Sequence, residues 1–510
     1  MLYAIPRMNS YILAIWLTVL PAIAAAATSC ESLASTTLPR ASITTATLVE
    51  AGAFPAPPGR GPNAGAVYKT LPAFCRVAAT LKPSSDSEIK IEVWMPSAQW
   101  NGKLQAVGNG AWAGSISYPA MATALAAGYA ATSTDTGHDG NNADFIPGHP
   151  EKVVDFAYRA VHEMTVASKA LVAAYYSSAP KYTYWNGCST GGRQGMAEAQ
   201  RYPNDYDGIV AGAPANYTTR LQGSQVWTAA VAHKDGAAYI PLEKYAVIHK
   251  AVLDQCDAVD GVKDGVIEDP RRCKFDPKSI QCKSADGLAC LTAAQVETAR
   301  KIYSGPVSAA GKNIFPGLEP GSEMGWATLT GPKPMDYAVE IYKYLVFQDT
   351  KWDYLTFNPE ADSARADKTI GAMMNSVDPD LRPLFAHGGK MIQYHGWADP
   401  GIAPGSSVNY YNSVLEALGG KATVNDSYRL FMVPGMGHCG GGDGTSTFDM
   451  VSALDNWVVN GKAPDQVPAS RVVNGAVVRT RPLCPYPQVA AYKGSGSTDE
   501  AANFTCKVGR

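Results

Sequence analysis

The sequence predicts an α/β architecture, a mostly parallel sheet with helices on both faces and one large insertion. Three observations predict it. Short strand-like runs alternate with helical runs from about residue 89 onward. That rhythm stops after Ala213-Pro214 and resumes only at residues 391–394. The length of 510 residues also exceeds what one compact core usually takes.

The first 27 residues read as an export signal. Arg7 is their only charge, residues 11–26 are almost wholly apolar, and the run ends in alanines that suit cleavage near Ala25 to Ala27. An uncleaved anchor is the alternative, and the short span and small-residue end argue against it. A lipid anchor at Cys30 lacks the bulky aliphatic residue expected at position 27, which is Ala27. No later run is long and apolar enough to cross a membrane. The mature chain is therefore expected outside the cytoplasm, extracellular or periplasmic, and free of the membrane.

The elements follow in order. Residues 89–95 form a strand in which Ile89, Ile91 and Val93 alternate with Lys90 and Glu92. Residues 103–107 form a second, running into Gly108-Asn109-Gly110, and residues 129–132 a third, followed by Asp135-Thr136-Gly137-His138. Residues 154–176 have helical spacing, with Val154, Ala157, Val161, Met164 and Leu171 on one face. A strand at 182–185 leads into Gly187-Cys188-Ser189-Thr190-Gly191-Gly192, then come a helix at 193–202 and a strand at 208–211. Residues 216–387 carry more charge, four cysteines and several tryptophans, and read as a lid domain over the strand ends. The sheet resumes with a strand at 391–394 before His395-Gly396-Trp397-Ala398-Asp399. Residues 428–433, before Gly437-His438-Cys439, are the last clear strand. The chain thus divides into 28–215, 216–387 and 388–510 after the signal at 1–27. No internal repeat is visible.

Composition narrows the function classes. Apolar residues make up 46% and charged residues 17%, an ordinary globular balance. The net charge is −2 with no basic stripe, which excludes nucleic acid as a partner. The ten cysteines behind an export signal point to disulfides, and the lack of any CxxC pair argues against a zinc ribbon. Oligomeric state is not legible. Sequons stand at Asn216, Asn425 and Asn503.

Gly187-Cys188-Ser189-Thr190-Gly191 is a GxSxG between a strand and a helix. A sharp turn there lifts the Ser189 hydroxyl clear of the sheet, and glycines on either side avoid a clash. The amide of Thr190 lies at the helix N-terminus, where it can hold an oxyanion. A second donor is expected from Gly108-Asn109-Gly110-Ala111, with Gly110 preferred and its neighbours as alternatives. A serine nucleophile needs a base and an orienting acid. His438 and Asp399 each follow a strand, and the chain order Ser, Asp, His is that of the α/β-hydrolase fold. Asp135 precedes the nucleophile, on the wrong side for that order. His395, four residues before Asp399, is expected to support the same loop. His138 either shapes the pocket or packs, and His162, on a predicted helix, reads as a packed or capped residue.

Cys188 precedes the nucleophile and Cys439 follows the base. If Ser189 and His438 meet, a Cys188–Cys439 bond would tie their loops and fix their geometry. The alternative is that each pairs elsewhere. A second constellation is the acidic loop 257–269. Asp257, Asp260 and Asp264, with carbonyls of Val262 and Val266, suit a hard cation such as Ca²⁺, although the spacing is not that of an EF-hand. Cys256 and Cys273 bracket this loop, and Cys282 and Cys290 are close enough to close a small one. The alternative is a solvated acidic turn.

Taken together, these motifs resemble the tannase and feruloyl esterase family. The features are Cys188-Ser189 with His438-Cys439, Asp399 in its motif, and Asp135-Thr136-Gly137-His138. The run from Gly187 through Arg193-Gln194-Gly195, Tyr206-Asp207-Gly208 and the acidic loop complete them. The resemblance implies an α/β-hydrolase domain with a lid and structural Ca²⁺ held by Asp257, Asp260, Val262, Asp264 and Val266. It implies disulfides Cys188–Cys439, Cys30–Cys75, Cys256–Cys273, Cys282–Cys290 and Cys484–Cys506. It also implies hydrolysis of small aromatic esters, free or linked to plant polymers. By analogy feruloyl esterase is preferred, with tannase and terephthalate-monoester hydrolase as alternatives. A noncatalytic phenol- or carbohydrate-binding protein on the same scaffold is the rival class. Trp326, Tyr344, Phe347, Trp352, Tyr354 and Phe357 are lid aromatics that could stack on an acyl ring, though most are expected in the lid core.

Overall fold

Alternation along the central strands builds two cores. Ile209 and Ala211 face one side of the sheet and Val210 the other; Leu430 and Met432 likewise oppose Phe431 and Val433. The computed structural model describes residues 1, 28–55, 57, 65–112 and 114–509. The export signal expected at 1–27 lies outside the described residues, apart from Met1. Nine strands make the main sheet: β1 Ala41–Val49, β2 Phe74–Leu81, β3 Ile89–Pro96, β4 Lys103–Val107, β5 Ala130–Thr134, β6 Tyr182–Cys188, β7 Gly208–Gly212, β8 Lys390–Gly396 and β9 Tyr428–Val433. Their order is β1-β2-β3-β5-β4-β6-β7-β8-β9. The pairs from β1 through β3 to β5 are antiparallel, and those from β5 through β4 to β9 are parallel.

Helices cover both faces, as expected of an α/β-hydrolase fold. Ala160–Tyr176, Thr190–Arg201 and Gly405–Ala417 supply one core, and Tyr118–Ala126 and Met450–Asn460 the other. The helix expected at 193–202 begins earlier, at Thr190, directly after Ser189. The helix expected at 154–176 begins at Pro150 and passes through a π turn at Asp155–Arg159.

Two parts of the sheet structure escape sequence reading. β1 and β2 extend the sheet ahead of residue 89; β1 is rich in threonine and alanine, and none of its residues is fully buried. Residues 428–433 are also not the last strand. Val467–Val473 pairs with Thr447–Phe448 on one side and with Ala476–Leu483 on the other, and Gln488–Tyr492 pairs with Phe504–Val508. Half-exposed strands carry too little apolar contrast to show a period.

The chain between β7 and β8 is mostly helical, with Thr218–His233, Tyr245–Cys256, Ala293–Ser304 and Pro359–Ala366 as its longer helices. One of its apolar clusters surrounds Trp326. Another joins Tyr342 and Phe357 to Trp112 and Phe145, from loops before β6, and to Phe156, from the π turn. All ten cysteines pair: Cys30–Cys75, Cys188–Cys439, Cys256–Cys273, Cys282–Cys290 and Cys484–Cys506. Among the described residues no helix is long and apolar enough to cross a membrane. Asn216, in the first of the three sequons, is fully buried in the folded chain.

Candidate active site

The turn from β6 into the helix Thr190–Arg201 is tight enough to force Ser189 to φ 65° and ψ −121°. This is a conformation that costs a non-glycine residue energy and persists only when the surroundings impose it. The surroundings do so by close approach: a Cβ on Gly187 would stand 2.6 Å from the Gly191 carbonyl. The Ser189 N–H bonds Gly212 O at 3.0 Å and its carbonyl accepts from Arg193 and Ala215, so its backbone is held on both sides.

The loop after β4 is fastened to the same helix. Asn109 O accepts from Gly191 N at 2.8 Å, Ala111 O accepts from the Thr190 hydroxyl at 2.9 Å, and the Asn109 amide pairs with Gln194. With those carbonyls turned to the helix, the Gly110 N–H has no acceptor among the described residues, and neither does that of Thr190. Both residues line the cavity that Ser189 lines. A paired, unclaimed set of amides at a helix N-terminus can hold a negatively charged oxygen.

Asp399 and His438 arrive on adjacent parallel strands, β8 and β9. Trp397 N bonds Val433 O at 2.9 Å and Ala398 N bonds Met436 O at 2.9 Å, which locks the two loops together. Asp399 Oδ2 then lies 2.7 Å from His438 Nδ1. Asp399 is fully buried, and its Oδ1 accepts from the N–H groups of Gly401 and Ile402 at 2.8 and 2.9 Å. Burial alone would raise its pKa. The charge of His438 and the hydrogen bonds from His395 and His438 outweigh that and hold it well below the usual carboxylate range. Burial likewise works against a charged His438, but the adjoining carboxylate wins and lifts the ring above its ordinary value. The Cys188–Cys439 bond joins the residues flanking Ser189 and His438, with Cα atoms 6.0 Å apart. Both side chains face one cavity of about 860 Å³. Among the described residues no direct hydrogen bond joins them, and such contacts commonly tighten only when substrate binds.

A family model for tannase and feruloyl esterase matches residues 75–507. The chain belongs to the tannase and feruloyl esterase family. It is 39% identical to an uncharacterized esterase of Xanthomonas campestris pv. campestris, over 95% of this chain and 92% of the relative. It is 36% identical to a probable feruloyl esterase B-2 of Aspergillus terreus, over 88% of each. The crystal structure of feruloyl esterase B from Aspergillus oryzae superposes with a TM-score of 0.87 at 32% identity, over 94% of this chain and 99% of that one. A tannin acyl hydrolase from Aspergillus niger shares the fold, with a TM-score of 0.76 at 24% identity. This member of the family is a carboxylic ester hydrolase.

Behind Asp399 runs a buried polar chain that sequence reading reached only in part. His395 Nε2 lies 3.2 Å from Asp399 Oδ2 and 3.1 Å from Ile402 O, both acceptors, so that nitrogen carries hydrogen. Its Nδ1 then accepts from Ser407 Oγ at 2.7 Å, which accepts in turn from Gln393 Nε2 at 2.7 Å. Tyr428 donates to Gln393 Oε1 and closes the chain. Asp135 instead caps its own loop, accepting from Lys90 N and Gly137 N; burial pushes its carboxyl up to about 7. His138 stacks on Phe145 at 3.9 Å and does not line the cavity.

The six lid aromatics singled out from sequence do not line this cavity either. Trp326 is core, and Phe347 and Trp352 stack on each other at 4.9 Å. The aromatic walls are Trp112 and Tyr337, whose rings sit 4.6 Å apart. Trp112 Nε1 donates to Glu340 at 2.6 Å, and Glu340 and Asp336 both line the cavity. Sequence offered one signal for Trp112, its position two residues after Gly110.

The acidic loop folds on its own side chains. Asp257 accepts from the N–H groups of Asp264 and Gly265, Asp260 from Val262, and Asp264 from Val266. Asp260, Asp264 and Val266 meet at a small cavity with Glu268, which sequence reading passed over; Asp257 and Val262 are not among its lining. Arg481 and Arg479 approach Asp264 Oδ2 at 2.6 and 3.6 Å. Carboxylates are hard oxygen donors of the kind a hard cation takes, and Arg479 and Arg481 line the same cavity.

Proposed function

We propose that this esterase hydrolyses esters of hydroxycinnamic acids through an acyl-enzyme on Ser189. The observation that carries the reading is the 2.7 Å Asp399–His438 bond at the cavity that holds the strained Ser189 turn. His438 takes the Ser189 proton while Asp399 fixes its ring and offsets the positive charge that forms. Ser189 attacks the ester carbonyl, and the amides of Thr190 and Gly110 receive the oxyanion. The alcohol leaves with the proton from His438, and water activated by the same ring releases the acid.

The cavity supports a neutral phenolic acyl group. Trp112 and Tyr337 give it an aromatic wall, and Asp336 and Glu340 offer acceptors for a phenolic hydroxyl. No lysine or arginine lines it among the described residues, so a second carboxylate on the substrate would meet carboxylates without a counter-charge. In a panel of methyl ferulate, methyl gallate and a terephthalate monoester, methyl ferulate is expected to give the highest kcat/KM, by about tenfold or more over the monoester. A monoester ranking first would overturn the assignment. Failure of Ser189 to take a fluorophosphonate label would remove it as the activated nucleophile.

The pH dependence follows from His438. A protonated ring cannot accept the serine proton, and the raised pKa keeps the ring protonated to higher pH. The acid limb of kcat/KM should therefore have its midpoint above the ordinary imidazole value of about 6.5. A midpoint at or below that value contradicts Asp399 as the partner that tunes the ring.

The acidic loop is proposed to hold Ca²⁺ through Asp257, Asp260 and Asp264 with carbonyls of Val262 and Val266. The ion would supply structural cross-linking, with no part in the ester chemistry. Chelation is expected to lower the melting temperature by on the order of 5 °C with recovery on adding Ca²⁺. An unmoved melting curve and no metal by elemental analysis would remove the site. Export through residues 1–27 is proposed on the same terms, and the five disulfides suit an oxidising compartment. The segment 216–387 is proposed to act as the lid that sets acyl specificity, since it carries Tyr337 and Glu340.

A further inference from the structure

Outside the cavity, three side chains converge from separate elements. His162 comes from the helix Ala160–Tyr176, Glu198 from the helix that begins at Thr190, and Asp205 from the turn before β7. Their ligand atoms all lie within 4.8 Å of one another. His162 Nδ1 stands 2.6 Å from Asp205 Oδ2, and its ring is held by stacking on Tyr202 at 3.8 Å. Glu198 is fully buried, and neither of its carboxylate oxygens has a hydrogen-bond partner. Lys169 is close by, but its ammonium bonds the Asp205 carbonyl oxygen at 2.5 Å.

We propose that His162, Glu198 and Asp205 bind a first-row divalent metal ion of the Zn²⁺ class. A buried carboxylate without donors is costly unless a cation or a proton compensates it. Two carboxylates with one imidazole match Zn²⁺, whereas hard Ca²⁺ and Mg²⁺ prefer oxygen alone. Donors about 2.1 Å from a tetrahedral ion stand about 3.4 Å apart, so to admit one the 2.6 Å His162–Asp205 pair opens and the wider separations close by about an ångström. The His162 and Asp205 side chains are 29% and 15% exposed, which leaves an entry path and room for a water in the open coordination position. The ion would fasten the helix that Ser189 caps to the helix Ala160–Tyr176 and to the turn before β7, so its contribution is to stability. The competing solution is a proton shared between Glu198 and Asp205, which needs no metal.

The test uses the full, untagged chain, stripped by chelator and returned to excess Ca²⁺ so that the acidic loop is supplied. Titration with Co²⁺ should give about one bound equivalent with visible d–d absorption, displaced by Zn²⁺, and Zn²⁺ should raise the melting temperature. In Glu198→Gln the affinity should fall by about tenfold or more. If that variant does not fold, His162→Gln, on the more exposed side, carries the same expectation. No uptake at micromolar Zn²⁺, or uptake undiminished in the folded variant, overturns the site in favour of the shared proton or of histidines elsewhere.

Discussion

Ser189→Ala should lower kcat for methyl ferulate by on the order of 10⁵-fold or more, leaving a folded protein. The loss is large because the whole covalent route ends with the hydroxyl. The fold should survive because that hydroxyl makes no hydrogen bond among the described residues, and alanine keeps the Cβ already accommodated at φ 65°. Circular dichroism and the melting curve check the fold, and single-turnover assays check the chemistry. A folded variant retaining more than a trace of turnover removes Ser189 as the nucleophile, and with it the proposed mechanism.

Asp399→Asn should be nearly as severe, lowering kcat by on the order of 10⁴-fold. Asp399 is surrounded by donors: Gly401 and Ile402 N–H at one oxygen, His395 and His438 at the other. An ionised carboxylate accepts all four, whereas an amide must turn its NH₂ toward one of these pairs. If it faces His438, the ring loses the acceptor that sets its tautomer. If it faces the loop, two buried backbone donors go unpaired, at about 1–3 kcal/mol each. The variant should therefore also melt earlier, unlike Ser189→Ala. Measured kcat within about tenfold of the parent would show that another group orients His438.

The parts of the fold legible in sequence were those with strong local contrast. β3, β4, β6, β7, β8 and β9 are short apolar runs ending in glycine- or proline-bearing loops, and each lies where its period predicts. β1 and the strands after residue 447 are half-exposed and rich in threonine, arginine or proline, so their pairing depends on neighbours that no local pattern names. At the site, positions after strand ends were legible because the sheet carries them to one edge. The aromatic walls were not. Tyr337 lies 225 positions from Trp112 in the chain, and only the packing of Phe145, Phe156 and Tyr342 brings them together.

What this sequence determined alone is the sharp turn at Ser189, the order of the three candidate residues, and an oxidised cysteine chemistry. These rest on steric limits and spacing that act over a few residues. The tertiary structure decided which carboxylate sits under His438, which rings face the cavity, and that His162 meets Glu198 and Asp205. Those outcomes depend on contacts between segments far apart in the chain, where energy accrues only after the loops between them have closed.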